Sequence, residues 1–259
     1  MAGAFVDRDR WARIFPRGPR DFGLQLSIWL GFLLLYQVAR GVADRGAEEA
    51  FANGRLLIDW ERSITGLFEV DIQRVVIGAG DGLVQVLNWT YWNSQFTVIG
   101  LALLWVYFAR NESFLRFRNL LLLANVLGLI GFMAMPTAPP RLFPGEGFVD
   151  TLATASGMNH GSGLIQLASN QFAAMPSLHA ADALIVAIVL IPLVRSRLAK
   201  LIWALWPAWV WFTVMATGNH FWLDVAAGVA LAGATLAIMA YVERRLAQRS
   251  EAYGRAAVS

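Results

Sequence analysis

Three histidines occur in the 259 residues, and two of them, His179 and His220, sit at the edges of long apolar segments. An ionisable group in that position is costly, so it calls for a partner or a task. His220 lies in Thr-Gly-Asn-His-Phe-Trp-Leu-Asp (217–224), with Asp224 four residues on. On a helical turn a carboxylate at i+4 shares the imidazole's face and can accept the Nδ1 proton, which leaves Nε2 as a nucleophile. His179 lies in Ala-Ala-Met-Pro-Ser-Leu-His-Ala-Ala (173–181), where Pro176 and Ser177 have the chemistry of a helix cap and first turn. A helix start of that kind suits an anion such as a phosphate. Arg141 follows Pro-Thr-Ala-Pro-Pro (136–140), a stretch that cannot be helical throughout, and its planar fork is suited to gripping a phosphoryl group.

Each residue alone has a plainer reading: a solvated histidine, a loop arginine, a carboxylate that caps a helix. Their joint weight comes from falling on one side of a bilayer, as the layout below requires. His160, in the glycine-rich stretch 157–163, reads as a loop residue. Asp182, three residues after His179, either orients that ring or makes an ordinary contact between helices. Asn88, Tyr91 and Gln95, spaced i, i+3, i+7, form a polar stripe that could line a headgroup pocket. There is no His-x-x-x-His pair or carboxylate cluster of metal-ligand spacing, so a metal is not expected. Zero cysteine excludes disulfides, thiol nucleophiles and thiolate metal sites.

The elements that must position these groups are membrane helices. The chain is 57% hydrophobic and 15% charged, with a mean hydropathy of +0.52, against about 45–50% apolar and about 25% charged for soluble domains. Six apolar runs, at about 23–42, 91–109, 119–136, 178–194, 201–217 and 221–242, come near the ~20 residues that a spanning helix needs. The fold class expected is therefore all-α: a polytopic six-transmembrane-helix bundle forming one membrane domain over 23–242. A basic cytoplasmic tail (1–22) precedes it and a disordered cytoplasmic tail (243–259) follows. The first run reads as a retained helix rather than a cleaved signal, since five more follow it.

Most of the 21 basic residues fall in the segments that are inside if the N-terminus is cytoplasmic: Arg8 to Arg20, Arg110 to Arg118, Arg195 to Lys200 and Arg244 to Arg255. The positive-inside bias thus sets the orientation of a multi-pass cell-membrane protein, with both termini cytoplasmic. Both long loops, 43–90 and 137–176, face the extracytoplasmic side, and the site with them. In the first loop Leu56, Leu57, Trp60, Ile64, Leu67 and Phe68 recur at helical spacing, predicting one or two amphipathic helices in the interface, either a cap on the bundle or a feed for lipid. Trp89, Tyr91, Trp92, Trp203, Trp206, Trp209 and Trp211 cluster near span ends and read as an aromatic belt. The basic residues form no stripe, so nucleic acid is not an expected partner; membrane lipids are, and self-association is left open.

Three signatures in order, Pro-Thr-Ala-Pro-Pro-Arg ending at Arg141, Pro-Ser-Leu-His ending at His179, and His-Phe-Trp-Leu-Asp from His220 to Asp224, resemble the type-2 phosphatidic acid phosphatase superfamily of integral membrane enzymes. Pro-Pro-Arg and Pro-Ser-Leu-His look closer to its inositol phosphorylceramide synthase-like branch. The resemblance implies a six-helix bundle with no cofactor, acting on a lipid phosphate or phospholipid. It implies His220 as nucleophile forming a phosphohistidine, Asp224 as its stabiliser and His179 as acid and then base, with Arg141 and Ser177 on the phosphoryl oxygens. The branch favours transfer of a phosphorylated headgroup such as inositol phosphate to a lipid alcohol; plain hydrolysis is the alternative, and a non-catalytic lipid-binding or lipid-moving protein a more distant one. The family's phosphatases commonly carry two further cations, where this chain has Ala134 and Val214. Asn219, Ser177 and backbone amides would then hold the oxygens, or an arginine from 40–62 would reach in.

Overall fold

A computed structural model describes residues 15–42, 46–156 and 172–256, and His160 and the first part of the basic tail lie outside them. Every regular element among the described residues is helical: α1 (Pro19–Val42), α2 (Ala47–Ile64), α3 (Phe68–Gly78), α4 (Asp81–Gln95), α5 (Thr97–Ala109), α6 (Asn111–Ala134), a short α7 (Thr151–Ser156), α8 (Leu178–Leu193), α9 (Arg197–Ala216) and α10 (Trp222–Ala256). One isolated parallel bridge pairs Thr137 with Ala173.

Among the described residues three helices are long and apolar enough to cross a membrane, namely α6, α9 and α10, while α5 and α8 are shorter apolar helices. The run expected at 91–109 is divided between two helices, which meet at Phe96. The helix feeding α5 starts at Asp81, ten residues before that run, because Asp81, Gln85 and Asn88 interrupt its Leu and Val residues and break the hydropathy signal. α8 is a plain consequence of its sequence: Ser177 caps it by accepting the Ala180 N–H at 3.3 Å, and the apolar run extends to Leu193.

The C-terminal segment corrects an expectation. Residues 243–256, read as a disordered tail, continue α10 as helix. Glu, Arg, Ala, Leu and Gln dominate that stretch and are good helix formers, so the helix carries on once its apolar part ends. Arg116 on α6 pairs with Glu243 at 3.0 Å.

α8 lies at the centre, packed against α9, α10, α6 and α4. Its inner residues Ala181, Ile185, Val186 and Leu190 join Phe117, Leu120, Leu121 and Ala124 of α6 and Ala232 of α10 in the main core. Glycines allow its first turn to be gripped from both sides. A Cβ on Gly131 would come within 2.5 Å of Pro176, one on Gly128 within 2.6 Å of Leu178, and one on Gly228 would run into the Ser177 carbonyl. α1 is fixed at its start by Asp21, which accepts from the Tyr107 hydroxyl at 3.0 Å, and by Gln25, which meets Arg118.

The 43–90 segment holds α2, α3 and the start of α4. α2 turns Ala50, Leu57 and Ile58 inward and leaves Leu56, Trp60 and Ile64 exposed. Not all the expected belt aromatics face outward. Trp211 donates to the Ala180 carbonyl, Trp209 donates to Thr90, and Tyr91 is turned inward onto the site.

Candidate active site

The turn carrying His220 is built by the end of α9. Gly218 has φ +70, in the left-handed region that glycine occupies without strain. Its N–H goes to the Met215 carbonyl at 2.9 Å, and the Asn219 N–H to Val214 at 3.0 Å, the paired bonds of a Schellman ending. The His220 N–H also reaches the Val214 carbonyl, at 3.0 Å. α10 then starts at Trp222, and Asp224 in its first turn swings back. Its Oδ2 lies 3.4 Å from His220 Nδ1 and accepts the Phe221 N–H at 3.0 Å. Asp224 is fully buried and His220 is 4% exposed, so the pair is shielded from solvent.

His179, one residue into α8, faces His220 with ring centroids 5.8 Å apart. Its other side is covered by Tyr91 of α4, stacked at 4.5 Å and 20°. Arg141 enters from a 3-10 turn, Pro140–Leu142, that the prolines impose. Its backbone N–H binds the Gly218 carbonyl at 2.8 Å, and its guanidinium donates to Asn219 Oδ1 at 2.8 Å. Asp150 stands 3.7 Å from its Nε. These four residues, His179, His220, Arg141 and Asn219, line one cavity, with Tyr36, Tyr91, Gln95 and Phe132 also in its wall.

The other expected site residues occupy different places. Ser177 is fully buried behind the cavity: its hydroxyl caps α8 and its N–H binds the Asp224 carbonyl at 2.9 Å. It therefore holds the two histidine segments together rather than lining the cavity. Asn219 gives its oxygen to Arg141 and its amide to Thr217 Oγ1 at 2.8 Å, so its bonds orient the guanidinium. Asp182 turns to Asn125 of α6, whose amide lies 3.3 Å from each carboxylate oxygen, which is the ordinary interhelical contact. The polar stripe divides: Asn88 is buried against Thr151, whereas Tyr91 and Gln95 line the cavity. Among the described residues Arg141 is the one arginine or lysine lining the cavity; Arg55 is exposed, and Arg62 pairs with Glu146.

Two carboxylates were invisible from sequence. Glu61 of α2 and Glu69 of α3 are both fully buried against the start of α10. Glu61 accepts the Leu223 N–H at 3.0 Å and Glu69 the Trp222 N–H at 2.8 Å. Burial, followed by the nearby Glu69 charge, pushes the Glu61 carboxyl up to about 9, and burial also raises Glu69. Among the described residues no three His, Asp or Glu side chains are arranged to hold a metal ion. With a nucleophile-competent imidazole backed by a carboxylate, a second imidazole opposite and a guanidinium beside them, the cavity has the parts for nucleophilic phosphoryl chemistry.

The family described as the PAP2 superfamily matches residues 55–238, well over half of the chain. Phosphoinositol dihydroceramide synthase of Bacteroides thetaiotaomicron is 28% identical over 141 residues, which cover 49% of this chain and 46% of that protein. The match thus spans under half of the relative's own length. No solved structure matches.

Proposed function

The chain belongs to the PAP2 superfamily, and from that premise we propose that it is a multi-pass membrane phosphotransferase moving a phosphorylated headgroup between lipids through a phosphohistidine. The observation that carries this reading is the pair His220 and His179, 5.8 Å apart across one cavity, with Asp224 behind the first ring and Arg141 beside it.

In the first half-reaction His220 Nε2 attacks phosphorus in line, and the P–N bond forms as the ester P–O bond breaks. His179 gives its proton to the departing alkoxide. Asp224 holds the Nδ1 proton and offsets the positive charge that develops on the ring. In the second half-reaction the acceptor alcohol passes its proton to His179 and attacks phosphorus, and cleavage of P–N restores His220. Arg141 stabilises the charge spread over the non-bridging oxygens. Water in place of the alcohol would give hydrolysis.

Arg141 is the one arginine or lysine lining the cavity among the described residues; with His179 protonated for its role as acid, the cavity can meet either the single charge of a phosphodiester or the charge of about −1.5 to −2 that a monoester carries near neutral pH. The Bacteroides relative is named for phosphoinositol and dihydroceramide, so a phosphoinositol lipid and dihydroceramide are the donor and acceptor to try first. For the membrane placement, α1, α4 with α5, α6, α8, α9 and α10 supply six crossings. The clustering of basic residues puts both termini in the cytoplasm and the cavity on the extracytoplasmic side. α2 and α3 then lie at that outer interface.

The deciding experiment uses purified protein in detergent with a phosphoinositol lipid labelled at phosphorus. Labelled product is expected with dihydroceramide, alongside an acid-labile label on the protein that is lost in His220→Ala. Release of labelled inositol phosphate regardless of acceptor would assign hydrolysis instead. Neither transfer nor release, from diester and monoester lipids alike, would overturn the enzymatic reading.

A further inference from the structure

Three carboxylates converge on the first amides of α10, directly after His220. Asp224 takes the Phe221 N–H, Glu69 the Trp222 N–H and Glu61 the Leu223 N–H. They come from three different elements, and all three side chains are fully buried. In each, one oxygen accepts an amide while the other, Glu61 Oε2, Glu69 Oε2 or Asp224 Oδ1, is buried with no donor among the described groups. Three adjacent anions without solvent and with half their oxygens unpaired would be severely penalised. A proton on one of them removes a charge and supplies a missing donor at once.

Glu61 and Glu69 hold adjacent amides, those of Leu223 and Trp222, and each keeps a buried second oxygen with no donor among the described groups; two carboxyl groups can bond to one another only through a proton. We propose that Glu61 and Glu69 are positioning residues for the nucleophile, sharing one proton so that the pair carries a single negative charge while clamping the turn that presents His220. Glu61 is the protonated member, donating its O–H to Glu69. The charged groups acting on the pair are the two glutamates themselves and Asp224, through which they face His220. On this account α2 and α3 do more than cap the bundle. They fix the register of residues 221–223, and so the distance between Asp224 and the His220 ring. A neutral Glu61 also spares Asp224 the repulsion of a second full anion, which would otherwise distort the imidazole's proton affinity.

The proposal rests on His220 acting as nucleophile, so its test has an arm that does not read activity. Wild type, Glu61→Gln and Glu61→Ala are purified, their thermal unfolding checked, and kcat and KM measured with the phosphoinositol lipid and dihydroceramide. In parallel, isotope-labelled histidine NMR follows the His220 titration, a tractable assignment in a chain of three histidines.

An amide is the neutral isostere of a protonated carboxyl. Glu61→Gln should therefore keep kcat within about threefold and leave the His220 titration point within about 0.3 pH unit. Glu61→Ala frees the Leu223 N–H, and kcat should fall about tenfold or more while KM stays within about twofold. A folded Glu61→Ala with wild-type kcat would overturn the clamp. A His220 titration point lowered by more than about half a unit in Glu61→Gln would show that an anion had been removed, and would overturn the shared proton. That titration decides the shared proton by itself should Glu61→Ala not fold. A wild type that turns over neither lipid defeats the proposed function, while the titration arm still tests the neutral carboxyl.

Discussion

One oxygen of Asp224 serves two masters: Oδ2 is 3.4 Å from His220 Nδ1 and 3.0 Å from the Phe221 amide. The amide bond fixes the carboxylate, and the carboxylate in turn fixes the ring, so imidazole orientation is set by the helix start rather than by a free rotamer.

Asp224→Asn keeps an oxygen for the Phe221 amide but loses the charge that stabilises the imidazolium. The expected effect is a fall in kcat of roughly 10²–10⁴ with little change in KM. Steady-state kinetics on the folded variant check it, and a kcat within a few-fold of wild type would remove Asp224 from the chemistry.

Arg141 depends on its neighbours for aim. Asn219→Ala removes the acceptor for one guanidinium nitrogen and should lower kcat/KM about tenfold. Arg141→Ala, which removes the only arginine or lysine lining the cavity among the described residues, should lower it by about 10²–10³. Arg141→Lys should resemble the alanine variant more than the wild type, because a point charge cannot use both Asn219 and Asp150. Equal activity in all three would exclude a phosphate-binding role.

Glu61 also makes stability depend on pH. Its folded value of about 9 exceeds the ordinary carboxyl value of 4.5, so the folded state binds more protons across that window and stability falls as pH rises through it. The contribution is complete below about 4.5 and lost above about 9. Thermal unfolding in detergent should show a Tm that declines from pH 7 to pH 10 in wild type and a shallower decline in Glu61→Gln. Parallel slopes would exclude Glu61 as the titrating group.

Gly228→Ala and Gly131→Ala test the grip on the first turn of α8. Each added methyl has backbone or a proline ring in its way, and overpacking of this kind costs about 1–3 kcal/mol. A lowered Tm and lower kcat are expected together, since the same turn carries His179. Gly100→Ala, with open space around it, is the control that should change neither.

What could be read from the sequence was local. The i, i+4 pairing of His220 with Asp224 and the cap at Ser177 follow from residues a turn apart, and the structure shows both contacts. The side-chain direction of Ser177 could not be read, because a capping hydroxyl turns into its own helix and away from any ligand. Glu61 and Glu69 lie more than 150 residues from the amides they hold; in sequence they look like the other charges of a polar loop. Tyr91 reads from sequence both as a belt aromatic and as part of a stripe that could line a pocket, and its stack on His179 decides for the second. Hydropathy locates apolar runs but not helix ends, hence the early start of α4, the division at Phe96 and the late end of α10.

The segments that meet at the cavity are sewn to one another main chain to main chain: Arg141 N–H to the Gly218 carbonyl, Ser177 N–H to Asp224, Thr137 N–H to Phe172. Peptide groups are common to every residue, so such seams survive most changes of side chain. The reacting atoms thereby keep their spacing even where side chains around them change over evolutionary time.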